Sequence, residues 1–249
     1  MIHEKLRKHY LGNHTVVFTD SVHRFGTDAV LLADFSAPKK KDKAIEFGTG
    51  CGIVSLIWCR DEKPLRIDAL ELQEDAVDLV KMAIEENHLH DRFCVKQGDL
   101  KQVEMYYNKG YYDLAVMNPP YKKADDGVIT PIKGLAIARH EMMCNLSEIC
   151  QAASIVLNTG GRFCMCHRPS RLSEVLCAMH QAGLEPKRLR FVQQNMDAAP
   201  NLFLIEGKKG AGEGMVVEPS LLLEDAQGAP TAEVIQIYGA YYDQKERNR

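Results

Sequence analysis

Short apolar runs alternate along this chain with longer stretches in which apolar residues return every three or four positions. The runs Ala44–Phe47, Arg66–Leu72, Phe93–Gln97, Asp113–Met117, Arg162–His167, Arg188–Gln193 and Leu202–Glu206 predict strands. The stretches Thr27–Phe35, Ile53–Cys59, Asp75–Asn87, Leu146–Leu157 and Arg171–Ala182 predict helices; in the third, Ala76, Val77, Val80 and Ile84 line one face. Thr27 or Asp28 suits the N-cap of the first helix. This alternation predicts an α/β fold, a mainly parallel sheet with helices on both faces. The residues before Thr27 read as a polar opening. Beyond the strands, the glycine-rich stretch Gly207–Gly214 breaks the pattern, and Met215–Leu223 with Val234–Ile237 read as a short extra extended element on the sheet edge. No repeat or linker marks off a second domain. A single domain over residues 1–249 is expected, with a core over 43–207 and a C-terminal extension over 208–249.

A chain of 249 residues that is 45% hydrophobic has ample material for one large core. The start, Met1–Lys5, has no apolar leader, and no run approaches the roughly 18 apolar residues of a membrane span, so a cytoplasmic protein is expected. The 8 cysteines form no CxxC pair, which argues against a zinc cage and against a secreted disulfide framework; no metal is expected. Cys164 and Cys166 alternate with Phe163 and Met165 and read as small buried hydrophobes. The net charge of −3 offers no global attraction for a polyanion, so any nucleic-acid contact must rest on local patches. The densest comprises Arg162, Arg168, Arg171, Lys187, Arg188 and Arg190; smaller ones are Lys39–Lys41, Lys208–Lys209 and the trio Lys5, Arg7 and Lys8.

In an open parallel sheet, ligands bind beyond the carboxyl ends of the strands, and the strand ends here carry ligand-binding groups. Gly48, Gly50 and Gly52 fall in the first strand-to-helix turn, where missing side chains let a ligand lie against the backbone. The spacing G-x-G-x-G differs from the dinucleotide fingerprint, and Glu46 just before it disfavours a pyrophosphate and favours a cationic ligand. Glu71 ends the second strand, placed to accept from ribose hydroxyls, and Asp99 follows the third, placed to accept from an adenine amine. Asn118-Pro119-Pro120-Tyr121 follows the fourth. Consecutive prolines stiffen that loop and remove donors, so the Asn118 side-chain oxygen and the Pro119 carbonyl suit the two hydrogens of a planar –NH₂, while the Tyr121 ring suits stacking.

With these motifs go Arg24–Leu32, Ala138–Glu141, Leu204–Gly207 and a C-terminal segment containing Pro219. Together they make the chain resemble the class I S-adenosylmethionine-dependent methyltransferases of the small-domain branch, and within it the bacterial tRNA1(Val) adenine N6-methyltransferases. The resemblance implies a Rossmann-like sheet of seven strands, the last antiparallel, with residues 1–35 covering the cofactor. It implies S-adenosylmethionine as cofactor and tRNA as partner. The implied cofactor residues are Thr27, Asp28, Glu46, Gly48, Gly50, Gly52, Glu71, Asp99, Leu100 and Asn118, with Thr27 and Asp28 near the methionine end. The family's usual acid at the glycine turn is Asp; Glu46 reaches one methylene farther, to the cofactor's amino group directly or through water. The implied catalytic residues are Asn118, Pro119, Pro120 and Tyr121.

An adenine amine is a poor nucleophile because its lone pair is delocalised into the ring. Gripping both amine hydrogens stabilises the charge that grows on nitrogen during transfer, so neither a metal nor a general base is needed, and His23, His140 and His167 read as structural or RNA-contacting. Three other readings stay open: a protein glutamine methyltransferase, since an amide suits the same grip; a ribosomal RNA guanine N2-methyltransferase; and a catalytically silent RNA-binding protein.

Overall fold

The computed structural model describes residues 5–120 and 145–241. The chain opens with a hairpin, β1 (Arg7–Gly12) and β2 (Thr15–Thr19), followed by α1 (Thr27–Ser36) and then β3 (Lys43–Phe47), α2 (Ile53–Arg60), β4 (Arg66–Glu71), α3 (Glu74–Glu86) and β5 (Phe93–Gln97). A 3-10 turn over Leu100–Met105 leads to β6 (Tyr112–Met117). Then come α4 (Leu146–Val156), β7 (Leu157–His167), α5 (Leu172–Gln181), β8 (Leu184–Gln193), β9 (Leu202–Lys209), β10 (Val216–Leu222) and α6 (Ala232–Tyr238).

Among the described residues the main sheet has eight strands in the order β10-β8-β9-β7-β6-β3-β4-β5. Neighbours from β7 through β6, β3 and β4 to β5 are parallel, and β9 runs antiparallel between β7 and β8. From β3 the chain moves outward through β4 to β5, then returns to the other side of β3 as β6. Order reverses between β3 and β6, which is where such sheets bind ligands. Alternation decides which residue faces which layer. On β6, Leu114 and Val116 join a core with α1, α2, α3, the hairpin and α6, whereas Ala115 and Met117 join one with α4 and α5.

Three expectations are corrected. Among the described residues the sheet has eight strands rather than seven, because the extended piece expected on the sheet edge after the glycine-rich stretch pairs in parallel with β8 as β10. The second half of that element, Val234–Ile237, lies in helix α6, whose start is capped by Thr231 accepting from the Val234 amide. The opening before Thr27 is not merely polar. Thr15–Thr19 is buried along its whole length, and Asn87 at the end of α3 clamps it, accepting from the Val16 amide and donating to the Val16 carbonyl, both at 2.7 Å.

Candidate active site

The ends of β3 and β6 meet side by side. Phe47 is in register with Met117, so the glycine turn and Asn118 leave adjacent strands at the same level. Gly48, Gly50 and Gly52 all have positive φ. At Gly50 (φ +55°) a Cβ would meet no atom within 4 Å: the backbone demands glycine and the space above the turn is open. Gly52 (φ +80°) instead needs its hydrogen for packing, since a Cβ would sit 3.2 Å from Val80. An open, glycine-lined turn at the switch point fits a ligand laid against backbone.

Glu71 holds this turn. Its Oε2 accepts from the Gly50 amide at 2.9 Å, and its Oε1 accepts from the Leu72 and Gln73 amides at 2.8 and 3.0 Å. A carboxylate has about four acceptor positions, so three backbone bonds leave one on Oε2 for a hydroxyl. Asp99 caps the 3-10 turn that begins at Leu100, accepting from the Lys101 amide at 2.9 Å. Leu100 packs against the core of α4 and α5.

Glu46 does not reach over the turn. It is 3% exposed and lies behind it, its Oε2 accepting from both the amide (3.1 Å) and the hydroxyl of Ser55 in the first turn of α2. Burial pushes its carboxyl up to about 7, against the pull of Ser55. Beside it, Thr49 Oγ1 is buried and, among the described residues, makes no hydrogen bond of ordinary geometry. The Glu46 Oε2 atom is thus turned toward α2.

The Asn118 amide has a defined orientation. Its Nδ2 donates to Asp28 Oδ2 at 3.2 Å, and because a carboxylate only accepts, Oδ1 must face the other way, where Cys166 Sγ donates to it at 3.1 Å. Asp28 sits in the first turn of α1, preceded by Gly26, where a Cβ would fall 2.5 Å from Asp28 Oδ1. Thr27 Oγ1 accepts from the Tyr238 hydroxyl at 2.8 Å. Cys166 is thus buried as expected but also serves as a donor to the site. Ser55 and Tyr238 were missed as well. Ser55 carried a signal, lying nine residues after Glu46 within the first turn of α2, whereas nothing in the sequence links Tyr238 to Thr27. Pro119 is buried and Pro120 half-buried. Tyr121 and Ala138–Glu141, with His140, lie outside the described residues.

His23 Nδ1 lies 3.1 Å from Asp20 Oδ2, in a tight turn where Asp20 Oδ1 accepts from the Val22 amide at 2.8 Å. His167 is buried, stacked on Phe203 and accepting through Nδ1 from the Arg168 amide at 2.8 Å. Burial, helped by Arg171 and Arg168, lowers it to about 4, so it is neutral at physiological pH.

The basic cluster is not one surface. Arg162 lies midway along β7, level with Leu114, and donates to Glu206 at 3.0 Å and to the Ser36 carbonyl at 2.9 Å. Arg188 donates to Glu218 at 2.8 Å and Glu206 at 3.2 Å, with its guanidinium 4.3 Å from the Phe35 ring. Arg190 forms a two-point pair with Glu233 at 2.8 and 2.9 Å, and Lys187 donates to the carbonyls of Gly212 and Glu213. Arg171 pairs with Glu174 at 2.7 Å. Arg168 is exposed, one residue beyond the end of β7 and two beyond Cys166. Among the described residues no group of His, Cys, Asp and Glu is arranged to hold a metal, and no helix is long and apolar enough to cross a membrane.

Comparison with known proteins agrees with this architecture. The model of the methyltransferase small domain matches residues 9–176, and the chain belongs to that family. A tRNA1(Val) (adenine(37)-N6)-methyltransferase of Tolumonas auensis is 27% identical over 88% of this chain and 90% of its own. One of the same name from Porphyromonas gingivalis is 24% identical over 90% of each. Among solved structures, a predicted O-methyltransferase from Agrobacterium tumefaciens superposes with a TM-score of 0.68 at 18% identity, covering 85% of this chain and 95% of that one. These structures share the fold, a class I Rossmann-like α/β methyltransferase sheet.

Proposed function

We propose that this protein is a cytoplasmic enzyme that transfers a methyl group from S-adenosylmethionine to the N6 amine of an adenosine in tRNA, the adenosine 3′ to the anticodon of tRNA1(Val). The observation that carries the reading is the Asn118 amide, fixed by Asp28 at the switch point beside an open glycine turn. Relatives sharing nine-tenths of their length with this chain bear the name of that activity.

The residues fit the cofactor. The open face of Gly50, the remaining acceptor position of Glu71, Asp99 with Leu100, and the first turn of α1 with Thr27 and Asp28 border the space it would fill, next to Asn118. Gly48 and Gly52 shape the turn, and Glu46 acts from behind it. S-adenosylmethionine supplies an electrophilic methyl group when bound. The chain's own residues act on the nucleophile. Asn118 Oδ1 and the Pro119 carbonyl accept the two amine hydrogens, which localises the lone pair and stabilises the positive charge that grows on nitrogen. Tyr121 stacks on the extruded base and offsets part of the cost of unstacking it. The surplus proton leaves to water. His167, neutral, buried and bonded to the Arg168 amide, takes no part.

The test is methyl transfer from tritiated S-adenosylmethionine to bulk tRNA, ribosomal RNA and a release-factor peptide, with digestion of any labelled RNA to nucleosides. Label recovered as N6-methyladenosine from tRNA is the expected result. Label in the peptide glutamine or in N2-methylguanosine, or no transfer at all, sinks the reading in favour of the corresponding alternative.

A further inference from the structure

The C-terminal segment lies beyond residue 176, where the family match ends, and its last helix reaches back to the proposed site. Helix α6 is held at both ends. At its start, Thr231 caps the helix and donates to the Leu222 carbonyl of β10 at 2.8 Å, while Glu233 takes both bonds from Arg190. At its end, the Tyr238 carbonyl accepts from Arg60 at 3.2 Å, and Tyr241 stacks on Tyr238 and meets the ring of Phe25 at 5.8 Å. The backbone of Gly12 approaches so closely that a Cβ there would lie 2.8 Å from that of Ala240. A helix fixed this firmly delivers its last side chain to a defined point. Tyr238 is 4% exposed, and its hydroxyl donates to Thr27 Oγ1 at 2.8 Å, on the residue before Asp28. Asp28 in turn holds Asn118 Nδ2.

We infer that Tyr238 is a positioning residue for methyl transfer. Through Thr27 it fixes the first turn of α1, and through Asp28 it fixes the direction in which Asn118 Oδ1 points. This rests on the proposal that Asn118 receives the substrate amine. Burial raises the Tyr238 phenol above its ordinary range, which keeps the donor proton in place at physiological pH. A small rotation of the Asn118 amide misaligns the acceptor without opening the fold, and small displacements of this kind cost rate more than binding.

Tyr238→Phe deletes one hydroxyl and keeps the ring packing. The expected result is a single-turnover transfer rate lowered by about tenfold, with cofactor affinity and the KM for tRNA within about twofold of wild type. In the free protein, the side-chain amide resonances of Asn118, identified as the pair missing from Asn118→Asp, should shift in Tyr238→Phe. Thr27→Val should shift them alike, and the double variant should add nothing further. Thr231→Ala, which loosens the helix start, is the control for general destabilisation and should lower Tm while leaving those resonances in place. Unmoved Asn118 resonances in Tyr238→Phe overturn the inference, whatever happens to the rate. If Tyr238→Phe fails to fold, Thr27→Val removes the acceptor instead and decides the question. Should the wild-type protein methylate no tRNA, the functional reading falls, but the resonances still report whether Tyr238 sets the amide.

Discussion

Two buried carboxylates, Glu71 and Glu206, sit in the same sheet at 2% and 6% exposure and are satisfied in opposite ways. Glu71, at the end of β4, is bonded to three backbone amides and, among the described residues, to no cation. Glu206, within β9, accepts from Arg162 and Arg188 and from the Cys164 thiol at 3.7 Å. Amides orient a carboxylate, so Glu71 holds a turn in shape and keeps one acceptor position for a ligand's hydroxyls. Guanidinium groups neutralise it, so Glu206 serves the fold alone. A charged residue's place in a sheet, at a strand end or inside a ladder, decides which of these it becomes.

The sharpest break of that comparison is at the strand ends. Asn118→Ala should lower the methyl-transfer rate by about 10²-fold or more and leave cofactor affinity within a few-fold, because the lost acceptor acts on the amine. Single-turnover rates beside calorimetric binding measure both, and equal losses would remove Asn118 from the transition state. Glu206→Ala should do the reverse. Removing the shared partner leaves Arg162 and Arg188 facing each other, partly exposed, at a cost of about 3 kcal/mol in urea unfolding. In folded protein at low temperature the transfer rate should stay near that of wild type.

What was legible in the sequence follows the same division. The positions of the glycine turn, Glu71 and Asn118 at strand ends were readable, because the apolar runs ending at Phe47, Leu72 and Met117 stop within a residue of the ends of β3, β4 and β6. The basic cluster was not. Arg162, Arg188 and Arg190 lie close in chain order, but their partners Glu206, Glu218 and Glu233 come from later elements, and only strand register and the docking of α6 bring them together. Val234–Ile237 was misread because an apolar run that short fits a strand or a helical turn equally, and the Thr231 cap was the signal that separates them. Hairpin β1–β2 had its signal in Gly12-Asn13-His14, three residues of positive φ before the apolar run Val16-Val17-Phe18.

Glu46, another buried carboxylate, gives a pH test. Its folded value, about 7, stands above the ordinary 4.5, so the folded state prefers the protonated form. Its contribution to stability is present in full below pH 4.5 and is lost as pH rises through 7. Glu46→Gln keeps an acceptor for Ser55 and cannot ionise. Its stability relative to wild type should therefore rise by about 2 kcal/mol between pH 5 and pH 8, by urea unfolding at each pH. A difference that does not change with pH would mean that Glu46 ionises freely in the fold.

The smallest effect concerns the one pair of basic residues that the comparison separates most clearly. Arg168 is exposed just past the end of β7, near Asn118 through Cys166, whereas Lys187 lies in β8 beside the Gly207–Phe163 level of the ladder, bonded to Gly212 and Glu213. An RNA held over the strand ends can meet the first and not the second. Arg168→Glu should weaken tRNA binding several-fold and reduce the slope of log affinity against log salt by about 1, the share of a single phosphate contact. Lys187→Glu should leave both within error, even though the change in net charge is the same. Equal losses from the two variants would mean that tRNA responds to total charge and that position on the sheet is immaterial. No loss from either would move the binding surface to the exposed Lys5 and Arg7 or to Lys39–Lys41.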